Sequence, residues 1–194
     1  MSPVATHNTP TTSAKEPLKV ICDILQSEMG LTAKQIATAY QDYKIPADGL
    51  FVVAGYLGPT EIIASQGYLD TATNEEVQEV VVRHMIQIDL MSMAPDNSAR
   101  IRKEEIALAL RSFYSLKEQD LNNIGIAWLL SDFIDASAPE GTTMLNRYVT
   151  TCAVTALHRK VKTAGYLDGF AIDLNVAAPP ALIQIDPATA PFNP

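Results

Sequence analysis

The segment from Glu75 to Met93, EEVQEVVVRHMIQIDLMSM, constrains this chain more than any other. Val77, Val80, Val81, Val82, Met85, Ile86, Ile88 and Leu90 give it strong strand character, and neither Gly nor Pro interrupts it before Pro95. Extended at about 3.3 Å per residue the run reaches roughly 55 to 60 Å, whereas an ordinary strand holds about five or six residues. Part of such a strand must leave the core of its own domain. Val80, Val82, Ile86, Ile88 and Leu90 share one face, while Glu79, Arg83, Gln87 and Asp89 dominate the other, which predicts a core side and a wet side.

The neighbouring segments supply partners for it. Upstream, LFVVAGYLGPTEIIASQGYL from Leu50 to Leu69 is β-branched and aromatic, but Gly55, Gly58, Pro59 and Gly67 break it, as in an irregular or bulged edge strand. The polar stretch DTATNE joins the two runs into a hairpin. A shorter strand signal lies around Ile124 to Leu130, a third long run spans Met144 to Lys162, and FAIDLN at 170–175 reads as a closing strand.

Three helices are predicted. Pro17 suits a first helical position, and Leu18, Ile21, Cys22, Leu25 and Met29 follow at helical spacing until Gly30. Thr32 to Gln35 fits a capping box ahead of Ile36, Ala39, Tyr40 and Tyr43, with Pro46 ending the segment. From Asp96 to Tyr114, Ala99, Ile106, Ala109, Leu110 and Phe113 form one stripe, with Ile101 and Leu108 on nearly the opposite side. The order implies an α+β fold: an antiparallel or mixed sheet with a long projecting β-hairpin and helices packed on one face. Its expected limits are a polar N-terminal tail over 1–16, one domain over 17–175 and a Pro-rich arm over 176–194, where five prolines fall between Pro179 and Pro194.

Chemistry is sparsely marked. The formal net charge of -8 and the lack of a Lys/Arg cluster argue against a surface that grips nucleic acid through its phosphates. The N-terminal residues lack a basic region followed by an apolar one, and no apolar run approaches the length needed to cross a bilayer, so a soluble, cytoplasmically made protein is expected. Cys22 and Cys152 stand far apart in apolar contexts, as buried thiols do. His7, His84 and His158 are isolated, and no GxSxG, HExxH, GxGxxG or GxxxxGK[ST] pattern occurs. The expectation is no catalytic residue, no cofactor and no metal ligand. Glu104, Glu105, Asp132 and Asp135 read as solvated charge, and Trp128 as core.

The order of these features resembles the tail-terminator and neck-terminator proteins of tailed bacteriophages, the gateway or head–tail joining proteins, especially those of contractile-tailed phages. The resemblance runs from about Pro17 to Asn175. It rests on YQDYKIPADGLFVV ahead of the first strand, on HMIQIDLMS feeding into NSARIRKEEIALALRS, and on LNNIGIAWLLSDFIDASAPEGTTMLNRYVTTCAVTAL. Gln87-Ile88-Asp89, Ile124-Gly125-Ile126 and Arg147-Tyr148 stand where that family has a QID-type strand, a "gi" strand and a late "Ry" strand. The Pro-rich arm and long N-terminal tail depart from its pattern.

The resemblance implies a structural virion protein, made in the host cytoplasm, that forms a homo-oligomeric ring, most often a hexameric one. Such a ring terminates the tail tube or joins it to the portal and adaptor complex, and DNA passes through its lumen without sequence-specific binding. Its neighbours would be the head–tail adaptor, tail tube, sheath or collar, with no membrane partner. On this reading the long hairpin lies against the next subunit or ring, because a strand beyond its own core leaves backbone groups open to another chain. Val77 and Val81 on the hairpin, and Ile101 and Leu108 on the helix, are the candidate subunit-interface residues, with the two valines expected to be exposed in a lone subunit. Two alternatives stay open: another adaptor of a phage or contractile injection machine (collar, sheath-terminal or baseplate ring), and an enzyme with a dispersed site around His84, Asp89 and His158.

Overall fold

The computed structural model describes residues 15–39, 41, 44–46, 49–129 and 132–163. The expected strand at 170–175, the Pro-rich arm, nearly all of the N-terminal tail, Tyr40, Tyr43 and the side chain of Trp128 lie outside the described residues. Four helices and eight strands follow in the order α1 (Pro17–Glu28), β1 (Ile36–Thr38), β2 (Phe51–Tyr56), β3 (Glu61–Asp70), β4 (Glu75–Met93), α2 (Ser98–Arg102), α3 (Glu105–Leu110), α4 (Phe113–Asn122), β5 (Ile124–Leu129), β6 (Ile134–Asp135), β7 (Ala138–Glu140) and β8 (Thr143–Thr163). The fold is α+β, built on one mixed sheet in which, among the described residues, only β1 and β2 run parallel.

The Glu75–Met93 run is one unbroken strand, and β8 matches it pair for pair from Glu75↔Thr163 to Met93↔Leu145. These two strands are the spine of the molecule. Along one side of β4, β2 takes its second half (Phe51↔Met91 to Tyr56↔Ile86) and β3 its first half (Glu61↔Arg83 to Asp70↔Glu75). Along the far side of β8, β5, β6 and β7 follow one another in short pieces. The expected hairpin is thus β3–β4, and the expected irregularity is a bulge between Ile62 and Ala64.

One main core forms where the helices cover the sheet. Val20, Ile21, Ile24 and Leu25 of α1, Ala99 of α2 and Ile106, Ala109 and Leu110 of α3 pack with Val52, Ala54, Ile86, Ile88, Leu90, Tyr148, Cys152 and Val154. Helix α1 ends as its sequence demands: Gly30 takes φ +63°, and the Leu31 N–H returns to the Gln26 carbonyl at 2.9 Å. Arg102 then ties the helices together, gripping Glu105 through Nε and Nη2 and donating to the Met29 carbonyl at 2.7 Å. Glu105, expected as free surface charge, is an anchoring group.

Three expectations fail, each for a stated reason. The helix expected from Thr32 is a turn followed by β1. Gln35 Oε1 does accept from the Thr32 N–H, but Val52 N–H donates to the Gln35 carbonyl and Ala39 N–H to the Ala54 carbonyl, so β2 takes the bonds a helix would use. Close pairing is possible there because residue 55 is Gly, where a Cβ would sit 2.5 Å from that of Ala39. The helix expected over Asp96–Tyr114 is three short helices. Ser112 is extended and caps α4 by accepting from the Ser115 N–H, which resets the helical phase and leaves Phe113, expected in the core stripe, 92% exposed. The third failure is one end of the wet face of β4. Arg83 is exposed and Glu79 and Gln87 are half-buried, but Met91 is buried with Phe51 and Val53 where Ala37, Ile45 and Leu145 pack against them, and Asp89 is buried beside them.

Candidate subunit-interface surfaces

The helical pair of candidate residues stands clear of the core. Ile101 is 74% exposed and Leu108 72%, on the sides of α2 and α3 turned away from Ala99, Ile106 and Ala109. Phe113, Leu116 and Leu121 of α4 are exposed as well, so the stretch from Ile101 to Leu121 presents five large apolar side chains to solvent. A groove of about 280 Å³ lined by Ala107, Leu110, Leu116, Gln119 and Ile126 opens beside them. The sequence signalled Ile101 and Leu108 through their opposite stripe; Phe113 was placed in the core because the phase of one long helix was carried through Ser112, and Leu116 and Leu121 lie beyond the Tyr114 end of that expected helix.

The strand pair divides. Val77 is only 1% exposed, which corrects the expectation that it is bare in a lone subunit. Its place in the register explains this: Tyr68 of β3 and Val161 of β8 flank it on the same face. Val81, between Ala64 and Leu157, is half-buried. Most exposed large apolar side chains of this region are instead on β3, where Ile62, Ile63, Tyr68 and Leu69 all reach solvent, with Leu157 of β8 exposed beside Val81. Nothing in the alternation of β3 singled them out, because the strand is exposed on both faces, so that neighbours such as Ile62 and Ile63, or Tyr68 and Leu69, reach solvent together.

Two of the three short segments that carry the family resemblance, Gln87-Ile88-Asp89 and Arg147-Tyr148, are in direct contact. Asp89 accepts from Arg147 Nη2 at 2.7 Å across the β4–β8 ladder and from Gln87 Nε2 at 2.9 Å, joining the QID segment to Arg147-Tyr148. Ile124 and Ile126 pair with Ala156 and Val154 of the same β8. The Asp89–Arg147 pair had no local signal, since the two residues are 58 positions apart and meet only through the strand register.

The histidines of the enzymatic alternative meet without Asp89. His84 and His158 line one open concavity of about 920 Å³ with Glu16, Tyr56, Thr60, Arg159 and Lys160. The Thr60 hydroxyl lies 3.2 Å from His84 Nδ1, and the Tyr56 ring packs against the imidazole at 5.2 Å between centroids. Burial, then the neighbouring His158, push the His84 pKa below its ordinary value, opposed by Glu16. Asp89 belongs to the opposite face of β4 by the alternation of the strand. The thiols are poor nucleophiles: burial pushes Cys22 up to about 11 and Cys152 up to about 12. Among the described residues, no group of three His, Cys, Asp or Glu side chains is placed to hold a metal ion, and no helix is long and apolar enough to cross a membrane.

Compared with protein-family models and with curated proteins, the sequence matches none.

Proposed function

We propose that this chain is a structural subunit of a ring at the head–tail junction of a tailed bacteriophage, where it terminates the tail tube or joins it to the portal and adaptor complex and lets DNA pass. One observation carries the reading: a single acidic chain bears two unlike apolar surfaces, the Ile101–Leu121 helical stretch and the β3 arm edge. Two unlike surfaces on one subunit suit a subunit with more than one kind of neighbour, and unlike surfaces joined head to tail close into rings when the rotation permits. The contact between the QID and Arg147-Tyr148 segments adds support, because it gives those short motifs a shared structural role. Negative charge suits a conduit that must release the DNA it conducts.

The partners on this reading are further copies of the chain and the adjoining adaptor, tube, sheath or collar proteins. The enzymatic alternative is less well supported, since Asp89 lies on the other face of β4 from His84 and the Thr60–His84 contact is exposed. Negative-stain imaging of the purified protein, alone and with phage tails, tests the proposal. Rings that cap tails are the expected result; a protein that stays monomeric and ignores tails would sink it.

A further inference from the structure

We propose that neighbouring copies join edge to edge through the arm, the open edge of β3 in one copy pairing with the open end of β8 in the next. This rests on the ring reading and names its contact. The arm is the part of the sheet built from β3, the first half of β4 and the end of β8. On one side, Glu61–Asp70 pairs with β4 alone among the described residues. On the other, β5 reaches only Ile124↔Ala156, and its last tie is the Leu157 N–H donating to the Asn123 carbonyl at 3.0 Å. Beyond that point His158–Thr163 pairs with β4 alone among the described residues. Among the described residues, both flanks of the arm therefore end in unpaired strand edges.

The two edges differ in charge. β3, EIIASQGYLD, carries Glu61 and Asp70 and has none of the Lys, Arg or Pro that usually guard an edge. The end of β8 carries His158, Arg159, Lys160 and Lys162 and no acid. Glu61 is engaged with Arg83 at 3.2 Å and Arg159 with Glu79 at 3.4 Å, while Asp70, Lys160 and Lys162 take part in no ion pair among the described residues. Like pairs with like poorly. Antiparallel β3 on β3 sets Glu61 against Asp70, and β8 on β8 crowds Arg159, Lys160 and Lys162, and like charges placed opposite one another destabilise a ladder. Only β3 on β8 brings acid to base. Those edges lie on opposite flanks of the same arm, so the contact is head-to-tail and repeats from copy to copy. With the arms pointing the same way, the pairing is parallel, because β3 and β8 run in the same direction through their shared partner β4.

Two charge-reversed proteins test this: Glu61→Lys with Asp70→Lys, and Lys160→Glu with Lys162→Glu. Each alone has two edges of one sign, and its assembly by light scattering should weaken at least about tenfold, with circular dichroism unchanged. Mixed one to one, each protein offers the edge the other needs, and oligomers should return. Wild-type rings accompanied by variants that assemble normally, or by a mixture that does not recover, would leave the ring in place and overturn the edge pairing. A wild-type chain that never assembles, with or without tails, would overturn both. Should the variants misfold, hydrogen exchange on the wild type decides: the backbone amides of Ile62 to Leu69 that face away from β4 should exchange fast in dilute subunits and slowly in rings. Protection already present in the dilute subunit would mean that another segment of the same chain occupies the edge, which also overturns the proposal.

Discussion

The two halves of the β4–β8 ladder have the same backbone pairing and different surroundings. Toward the base, Ile86, Ile88 and Leu90 face Cys152, Thr150 and Tyr148 under the cover of α1 and α3, and all are buried. Toward the tip, the same two strands carry Glu76, Gln78, Arg83, Lys160 and Lys162, and β3 beside them is exposed nearly throughout. Backbone hydrogen bonds set the register of both halves, but among the described residues only the base adds a close-packed apolar layer. The arm relies on cross-strand side-chain pairs such as Gln66–Glu79–Arg159, each worth roughly 0.2 to 1 kcal/mol. Val77 and Val82 are the exceptions, buried residues in the arm, with Val77 held between Tyr68 and Val161.

Mutations should break this comparison most clearly at the base. Ile88→Ala removes a fully buried side chain from the layer under α1 and should destabilise by about 2 to 5 kcal/mol, read as a shift of the denaturation midpoint, whereas Val81→Ala in the arm should stay below about 1. Equal losses at the two sites would show that the arm has a core of its own. Next comes the ion pair at the foot of the base. Asp89→Ala leaves Arg147 without its carboxylate and should lose about 1.5 to 3 kcal/mol in the same measurement, with Asp89→Asn recovering part of it through its hydrogen bonds.

Within the arm, Val77→Ala should lose about 1.5 kcal/mol from the removed methyl groups, more than Val81→Ala despite its greater distance from the main core. The reverse order would mean that Tyr68 and Val161 do not shield it. On the helices, Ile101→Asp with Leu108→Asp should change the stability of the lone subunit by no more than about 0.5 kcal/mol, since both side chains are exposed. The same double variant should fail to form rings, so light scattering and thermal melting would part company. If melting falls instead, those side chains hold the helices together within one copy.

The smallest effect is expected from pH. The His84 pKa is lowered in the folded chain, so below about pH 6.5 the unfolded state takes up a proton that the folded state resists. Stability should therefore be fully present above that pH and decline as the pH falls through the lowered value. His84→Gln should flatten that decline while leaving assembly with the same partners intact. An unchanged slope would assign it to other groups.

Much of this architecture could be read from residue pattern alone. The length of β4, the extent of β8, the first helix with its Gly30 stop, and the α+β class all follow from periodicity and from where Gly and Pro fall, because those signals act within a few residues of chain. Ile101 and Leu108 were legible as a second stripe for the same reason. Other features required the folded chain. Residues 36–38 carry a helical signal and become a strand because the edge of β2 satisfies their backbone groups. Phe113 leaves the core because Ser112 interrupts a pattern that periodicity carries straight through. Asp89 meets Arg147, Val77 disappears between Tyr68 and Val161, and His84 shares a concavity with His158 only once β3, β4 and β8 are in register. Local sequence determines what each segment can be; which side chains meet, and which strand edges stay open, is decided by long-range pairing that depends on every strand of the sheet at once.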